Sequence, residues 1–495
     1  MDRHYRMREK LVKVITLLTT TLIMIVAVMS TATQAGRNTS PARGSPTQTR
    51  YPLKASSNGR YLVDQDNTPV FLVGDAPQGA LALLDETQWT YYLADRQARG
   101  VNTLLVSALC DQAIAAKGAG LGGCTSRMLT YDGIAPFTSG DSQSNYDVST
   151  PNEAYWVRVD SYIKLAARYE ITVLLDTWDT ASLTPLMESN GKTKMYDFGV
   201  FLGNRYKEFP NIIWMTGFDF QTWKTSATDN DLFKNVMAGI ASVDKNHLQT
   251  TELDYNRSKS LDDSLLEPYT SLDGVYDYYC TYSEVQSAYN AAAVPVFFTE
   301  GYYEHANADN WTSALPATTA EILRRQEWWS WLAGASGHIY GNMNIWPFVK
   351  NWQDDLGSIG ITQFGYLVSF MKRVAWYQLV PDQRHVIVTA GYGTPNLGTE
   401  DNACIVHSDY VATAYFSDHS GSVSFTPVGT TLTVNLSQFS GPVNAEWYDP
   451  TNARYLKISS SPLSNTRDHK FATPGKNATG GSDWVLLLKL AGSGT

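Results

Sequence analysis

Eight short apolar runs, each followed by a helix-forming stretch, occupy residues 51–380 and constrain the fold more than any other feature. After a Gly-containing hairpin over Leu53–Asn67, the runs are Pro69–Asp75, Asn102–Ala108, Ile171–Asp176, Ile212–Thr216, Leu248–Leu253, Gly274–Tyr279, Val294–Thr299 and Gly337–Gly341. Strands that are apolar on both faces belong to parallel sheets covered by helices, because a sheet with one wet face alternates apolar and polar residues. The intervening segments supply those helices. Asp85 and Gln88 form a capping box ahead of a stripe at Trp89, Tyr92, Leu93 and Arg96 that stops at Gly100, and further boxes are read at Thr150–Glu153 and Thr318–Glu321. A helix from Ile359 to Tyr377 completes the eighth unit. The pattern predicts an α/β fold, a closed (β/α)8 (TIM) barrel over residues 51–380 rather than an open sheet.

The period changes beyond Pro381. Runs at Val386–Thr389, Tyr410–Phe416, Thr430–Leu436 and Trp484–Leu490, separated by turn residues, predict a small C-terminal antiparallel β-sandwich over 381–495. At the other end, basic residues precede the apolar run Val14–Met29 and small residues ending at Ala35, the layout of a secretory signal peptide over 1–35. An uncleaved anchor is the alternative, although 16 residues are few for a stable span. Residues 36–50, rich in Ser, Thr, Pro and Arg, read as a flexible linker. The mature chain is therefore expected to be secreted, monomeric and without an integral membrane span. Export permits disulfides. Cys110 and Cys124 enclose a Gly- and Ala-rich segment and form the expected bridge, with Cys280 and Cys404 read as buried thiols.

Charge narrows the partners. The 38 basic and 48 acidic side chains give −10, which becomes −13 once residues 1–35, with five basic and two acidic groups, are removed. Nucleic acid is not an expected partner, because counterion-release binding needs clustered Lys and Arg. The 14 Trp, 29 Tyr and 17 Phe suit a sugar-lined cleft and, equally, dense packing.

In such a barrel, chemistry belongs at the C-terminal ends of the strands. The residues there are Asp75; Asp176, Trp178 and Asp179; Phe218 and Asp219; Glu252; Glu300, Tyr303 and Glu304; His338, Tyr340 and Asn342; and then Trp346. No Ser/His/Asp elbow, P-loop, dinucleotide fingerprint or His-Glu-x-x-His helix occurs, so no metal or cofactor is expected. Carboxylates facing each other across an aromatic pocket suit glycoside hydrolysis, in which one protonates the leaving oxygen and the other attacks the sugar centre. The fourth and seventh runs lie on opposite sides of an eight-strand ring, so Asp219 and Glu300 are the candidate pair; spacing alone equally allows ordinary loop carboxylates.

At these positions the sequence resembles the apiosidase-like glycoside hydrolases of family 140. The resemblance is carried by Pro69–Asp75, Asn211-Ile212-Ile213-Trp214-Met215-Thr216-Gly217-Phe218-Asp219, Glu300-Gly301-Tyr302-Tyr303-Glu304 and Gly334–Asn342. Trp447-Tyr448-Asp449-Pro450 and Asp483–Leu487 resemble the β domain that accompanies this barrel, labelled collagen-binding. The resemblance implies an exo-acting glycosidase on plant cell-wall type carbohydrate, with Asp219 as general acid/base and Glu300 as nucleophile of a retaining mechanism. Two departures stand out. The family's Gly-Asp-Thr-x-Trp is here Gly74-Asp75-Ala76-Pro77-Gln78, and its Gly-Gly-Asp is Gly217-Phe218-Asp219, which points to a different substrate.

The other mouth residues receive softer roles. Asp75 and Asp176 are expected to accept hydrogen bonds from sugar hydroxyls, and Trp178 and Trp346 to stack on the sugar face. Phe218 and Tyr303 would line the pocket, and His338, Tyr340 and Asn342 would hold the carboxylates. Glu304 is expected to pair with a base, Glu252 is the reserve catalytic carboxylate, and Arg324-Arg325 reads as a solvated helix face. The competing reading is a non-catalytic carbohydrate- or matrix-binding protein on the same fold.

Overall fold

The computed structural model describes residues 48–492 apart from 118–122, 254–256, 308–314 and 398–402. The expected signal peptide and most of the expected linker lie outside the described residues. The described residues from Thr49 onward form one compact unit. All eight expected strands are present: β1 Leu72–Asp75, β2 Thr103–Ser107, β3 Thr172–Asp176, β4 Ile212–Thr216, β5 Gln249–Thr251, β6 Asp273–Asp277, β7 Val296–Glu300 and β8 Gly337–Tyr340. They pair in parallel in the order β5-β4-β3-β2-β1-β8-β7-β6, and the extra strand Arg257–Lys259 runs antiparallel on β6. The β5/β6 seam is bridged by the Ser260 side chain and one backbone bond instead of a regular ladder. The Ser260 hydroxyl donates to the Thr251 carbonyl at 2.5 Å and accepts from the Gly274 amide at 2.9 Å, while the Ser271 amide donates to the Gln249 carbonyl at 2.9 Å.

Alternation along each strand separates two cores. Leu72, Leu105, Leu174, Ile213, Met215, Leu248, Leu272, Phe297 and Ile339 point into the barrel lumen, joined at its floor by Leu53 and Leu62 of the N-terminal hairpin. Val73, Leu104, Val106, Val173, Leu175, Ile212, Trp214, Val275 and Phe298 point outward to the helices. Full burial on both faces explains the uninterrupted apolar runs.

The helices begin at polar caps. Asp85 and Gln88 make the expected capping box, and Trp89, Tyr92, Leu93 and Arg96 form the buried face. Two expected boxes shift: Asn152 rather than Thr150 caps Glu153–Arg168, and Thr319 rather than Thr318 caps Ala320–Leu332. The final helix of the barrel is Ile359–Met371, shorter than the sequence pattern predicts, with a 3-10 turn at Trp376–Gln378.

The C-terminal strands form a sandwich of a six-stranded and a three-stranded antiparallel sheet. Its central strand, Trp484–Leu490, is apolar from Trp484 to Leu488, where both of its faces are covered. Val485 and Leu487 face the barrel core, whereas Trp484, Leu486 and Leu488 face the sandwich core.

Two expectations fail at this junction. Arg324 and Arg325 are not solvated, because the sandwich covers their helix. Arg324 pairs with buried Asp483 at 2.7 Å and donates to Gln363 at 2.7 Å, and Arg325 donates to the carbonyls of Ile405 and Val406 at 3.2 and 2.6 Å. Cys280 and Cys404 are not free thiols. They are bridged, with Cα atoms 5.5 Å apart across a sequence separation of 124, fastening the start of the helix after β6 to the segment entering the sandwich. Cys110 and Cys124 are bridged as expected, with Cα atoms 4.9 Å apart.

Candidate active site

The mouth is built around Glu300, the last residue of β7. Between β6 and β7 the register shifts, so that Val275 faces Phe298 but Tyr276 faces Glu300, leaving Thr299 as an extra residue. A bulge of this kind re-aims the side chain that follows it. Three tyrosine hydroxyls meet the Glu300 carboxylate. Tyr276 and Tyr278 donate to Oε1 at 2.8 and 3.1 Å, and Tyr303 donates to Oε2 at 2.8 Å. The Gln78 amide in turn donates to the Tyr303 hydroxyl at 3.0 Å, so the residue standing where the resembled family has Trp orients this clamp. Burial pushes the Tyr276, Tyr278 and Tyr303 phenols well above their ordinary 10, which keeps them protonated as donors.

Asp219 reaches the same space from the turn after β4. Gly217 (φ 98°) and Asp219 (φ 49°) both adopt left-handed backbone, which short polar Asp tolerates. A Cβ on Gly217 would lie 2.8 Å from the Glu252 carbonyl and 2.9 Å from the Phe233 ring, so this turn requires glycine. Glu252, following β5, shares the lumen-facing parity of Leu248 and is 1% exposed. Burial first, and then the Asp219 charge, push Glu300 above the ordinary carboxylate range, while the three hydroxyls pull it back. Burial, then Glu300 and then Asp219 push Glu252 well above that range.

Glu300 and Glu252 therefore do not ionise independently, and the three donors on Glu300 favour its ionised form.

A further acidic group supports the Asp219 side. Asp176 accepts from the Gly217 amide at 3.1 Å and from the Trp178 amide at 3.3 Å, and burial raises it to about 8. Buried Asp179 is hydrogen-bonded to buried Asp111, and burial followed by the Asp111 charge pushes Asp179 well upward. This arrangement requires a shared proton. Asp111 adjoins the Cys110–Cys124 bridge, which ties its loop down.

The expected residues divide into those at the mouth and those behind it. Asp219, Glu300 and Tyr303 converge, with Phe218 packed against the upper lumen beside them. Half-buried Trp346 packs on the same lumen cluster, and its carbonyl accepts from the Gly79 amide at 3.0 Å. Asp176 supports the Asp219 turn and does not line an open sugar site.

The remaining expectations fail, and for Asp75, His338 and Tyr340 the reason is strand parity. Gly74 and Ile339 face the lumen, so Asp75, His338 and Tyr340 face the helices. Fully buried Asp75 binds Arg96 at 2.5 Å and accepts from Tyr92 at 2.5 Å. His338 stacks on Phe298 with ring centroids 4.9 Å apart, hydrogen-bonds Ser330 at 2.9 Å and is pushed down to about 3 by burial. Tyr340 donates to Glu304, and buried Asn342 donates to Tyr340 at 3.2 Å. Trp178 is fully buried, edge-on to Phe198 at 5.8 Å, and offers no sugar platform. Among the described residues Glu304 pairs with no base; it accepts from Ser358 at 2.6 Å and from the Gly360 amide at 2.9 Å, at the N-terminus of the helix Ile359–Met371.

Sequence reasoning missed Tyr276, Tyr278, Gln78 and Asp111. The two tyrosines share a face at i and i+2 at the end of the sixth run, a signal that was available. Among the described residues no group of three or more His, Cys, Asp or Glu is placed to hold a metal. No helix among them is long and apolar enough to cross a membrane.

Comparisons with known proteins agree with this architecture. Residues 56–378 match the family described as "Apiosidase-like, catalytic domain", and residues 402–489 match "Putative collagen-binding domain of a collagenase". A solved glycoside hydrolase is 22% identical with a TM-score of 0.73, covering 89% of this chain and 97% of its own. A family 5 glycoside hydrolase from Bacteroides vulgatus is also 22% identical, with a TM-score of 0.72 and coverage of 89% and 93%. At these identities the likeness shows the fold. No curated protein matches the chain.

Proposed function

Because the chain belongs to the apiosidase-like glycoside hydrolases, we propose that it is a secreted, retaining glycosidase of plant cell-wall glycans, with Glu300 as nucleophile and Asp219 as general acid/base. The observation that carries this reading is the clamp of three tyrosine hydroxyls on Glu300, opposite Asp219. A carboxylate held by three donors and facing a second carboxyl is prepared to attack, not to buttress the fold.

The steps follow from the geometry. The tyrosines hold Glu300 ionised and fix its orientation. Asp219, beside two other carboxyls and next to the Phe218 ring, retains a proton and delivers it to the leaving oxygen as Glu300 bonds to the anomeric carbon. Asp219, now ionised, takes a proton from water, and that water releases the sugar from Glu300. Trp346 is the ring available to a sugar face. Gln78 replaces an aromatic platform with an amide, and Phe218 replaces a glycine, so the glycone differs from that of the resembled family's type enzyme.

Secretion is supported by the two disulfides and by the signal-peptide layout of residues 1–35, with 36–50 as linker. The sandwich acts as a buttress to the barrel through the Arg324–Asp483 pair and the Cys280–Cys404 bridge.

The test is to assay Asp219→Asn and Glu300→Gln on aryl glycosides and pectic oligosaccharides, following the anomer released by NMR. Near-complete loss in both variants and a retained anomer are expected. Full activity in either variant, or an inverted product, overturns the assignment.

A further inference from the structure

We propose that Glu252 is the specificity residue of this site: a neutral carboxylic acid that hydrogen-bonds one hydroxyl of the sugar held between Asp219 and Glu300. The proposal rests on the glycosidase reading above and concerns a group to which that mechanism gives no step.

Glu252 is 1% exposed, and neither of its carboxyl oxygens has a hydrogen-bond partner at bonding geometry among the described residues. The Thr299 hydroxyl is the one side-chain hydrogen-bonding group that bears on Glu252 among the described residues, but its single proton goes to the Val275 carbonyl at 3.0 Å. Among the described residues, the charged groups that bear most on Glu252 are Glu300, Asp219 and Asp176, all acidic. A carboxylate there would be desolvated, unbonded and beside like charge, whereas a neutral acid avoids all three costs. Burial, the leading cause, and the neighbouring carboxyls accordingly push its ionisation well upward.

A buried polar group without a partner calls for one. A neutral acid offers one donor and one acceptor, which matches a sugar hydroxyl, itself one donor and an acceptor. The lumen-facing parity shared with Leu248, the close approach of the Glu252 carbonyl to Gly217 of the Asp219 turn, and the effect of Glu300 and Asp219 on its carboxyl put this group beside the proposed acid and nucleophile. A site built to hydrogen-bond a hydroxyl rejects an analogue lacking it, because its own polar group is then left unpaired.

The test uses the aryl glycoside that the intact protein cleaves fastest, its monodeoxy analogues, and the variants Glu252→Ala and Glu252→Gln. Glu252→Ala is expected to lower kcat/KM on the order of 10- to 100-fold, the loss of one buried hydrogen bond. Glu252→Gln, also uncharged with a donor and an acceptor, recovers at least about tenfold of that loss. One monodeoxy analogue abolishes the difference between wild type and Glu252→Ala. Equal damage from both variants, or no analogue that abolishes the difference, overturns the proposal. A separate readout needs no turnover: the infrared difference between resting wild type and Glu252→Gln at neutral pH contains the C=O band of a protonated carboxyl. Its absence refutes the proposal alone, whereas a wild type inactive on every glycoside refutes the glycosidase reading.

Discussion

Removing the Tyr303 hydroxyl isolates what the tyrosine clamp does for Glu300. Tyr303 is the side-chain donor on Oε2, at 2.8 Å, whereas Oε1 receives both Tyr276 and Tyr278, at 2.8 and 3.1 Å. Tyr303→Phe thus strips one carboxylate oxygen, while Tyr278→Phe leaves the shorter Tyr276 bond in place. A hydrogen bond to a charged group is worth about 1.5–3 kcal/mol, or roughly 10- to 150-fold in kcat/KM. Tyr278→Phe, which removes the longer of two bonds, is expected to cost less than about tenfold. The same energy appears in the pH profile. Donors favour ionised Glu300, so losing one raises its pKa and moves the acidic limb of kcat/KM upward by about 1–2 pH units. The assay is a pH series of initial rates on one aryl glycoside for wild type and both phenylalanine variants. Equal effects from Tyr303→Phe and Tyr278→Phe, or an acidic limb that does not move, would refute the reasoning.

Three further outcomes follow from the buried groups. Asp176 is raised from 3.8 to about 8, so the folded chain binds a proton that the unfolded chain has released, and its contribution to stability declines as pH rises across that window. Asp176→Asn removes a slope of about 1.4 kcal/mol per pH unit, read from urea midpoints between pH 5 and 8; an unchanged slope contradicts the assignment. Arg324→Met leaves Asp483 buried without its cation and is expected to cost about 3 kcal/mol in urea unfolding, with kcat unchanged below the transition. Replacing Cys280 and Cys404 by Ser opens a loop of 124 residues and lowers unfolding stability by about 2–4 kcal/mol, whereas a stability equal to wild type would mean that the bridge does not constrain the unfolded chain.

The eight strands were legible because double-sided burial leaves an unambiguous mark, and Asp219 and Glu300 because they end the fourth and seventh of them. Strand parity was the step most often misjudged. Asp75, His338 and Tyr340 sit at strand ends, but Gly74 and Ile339 face the lumen and turn them toward the helices. Glu300 faces inward through a register shift at Thr299, which no period-two pattern anticipates. Arg324, Arg325 and Cys280 were misread because their partners arrive from the sandwich and its entry segment, 80 or more residues later in the chain, and Cys404 with its bridge to Cys280. Gln78 was noticed as a departure, yet its role needed Tyr303 beside it, 225 residues away.

The most direct test of the central claim is to trap the glycosyl-enzyme. Wild type is incubated with an activated 2-deoxy-2-fluoro glycoside of the best-cleaved sugar, digested, and mapped by mass spectrometry. The account predicts one equivalent of label on Glu300 and none in Glu300→Gln. Label on Asp219 or Glu252, or complete turnover with no covalent adduct and an inverted product, would contradict it.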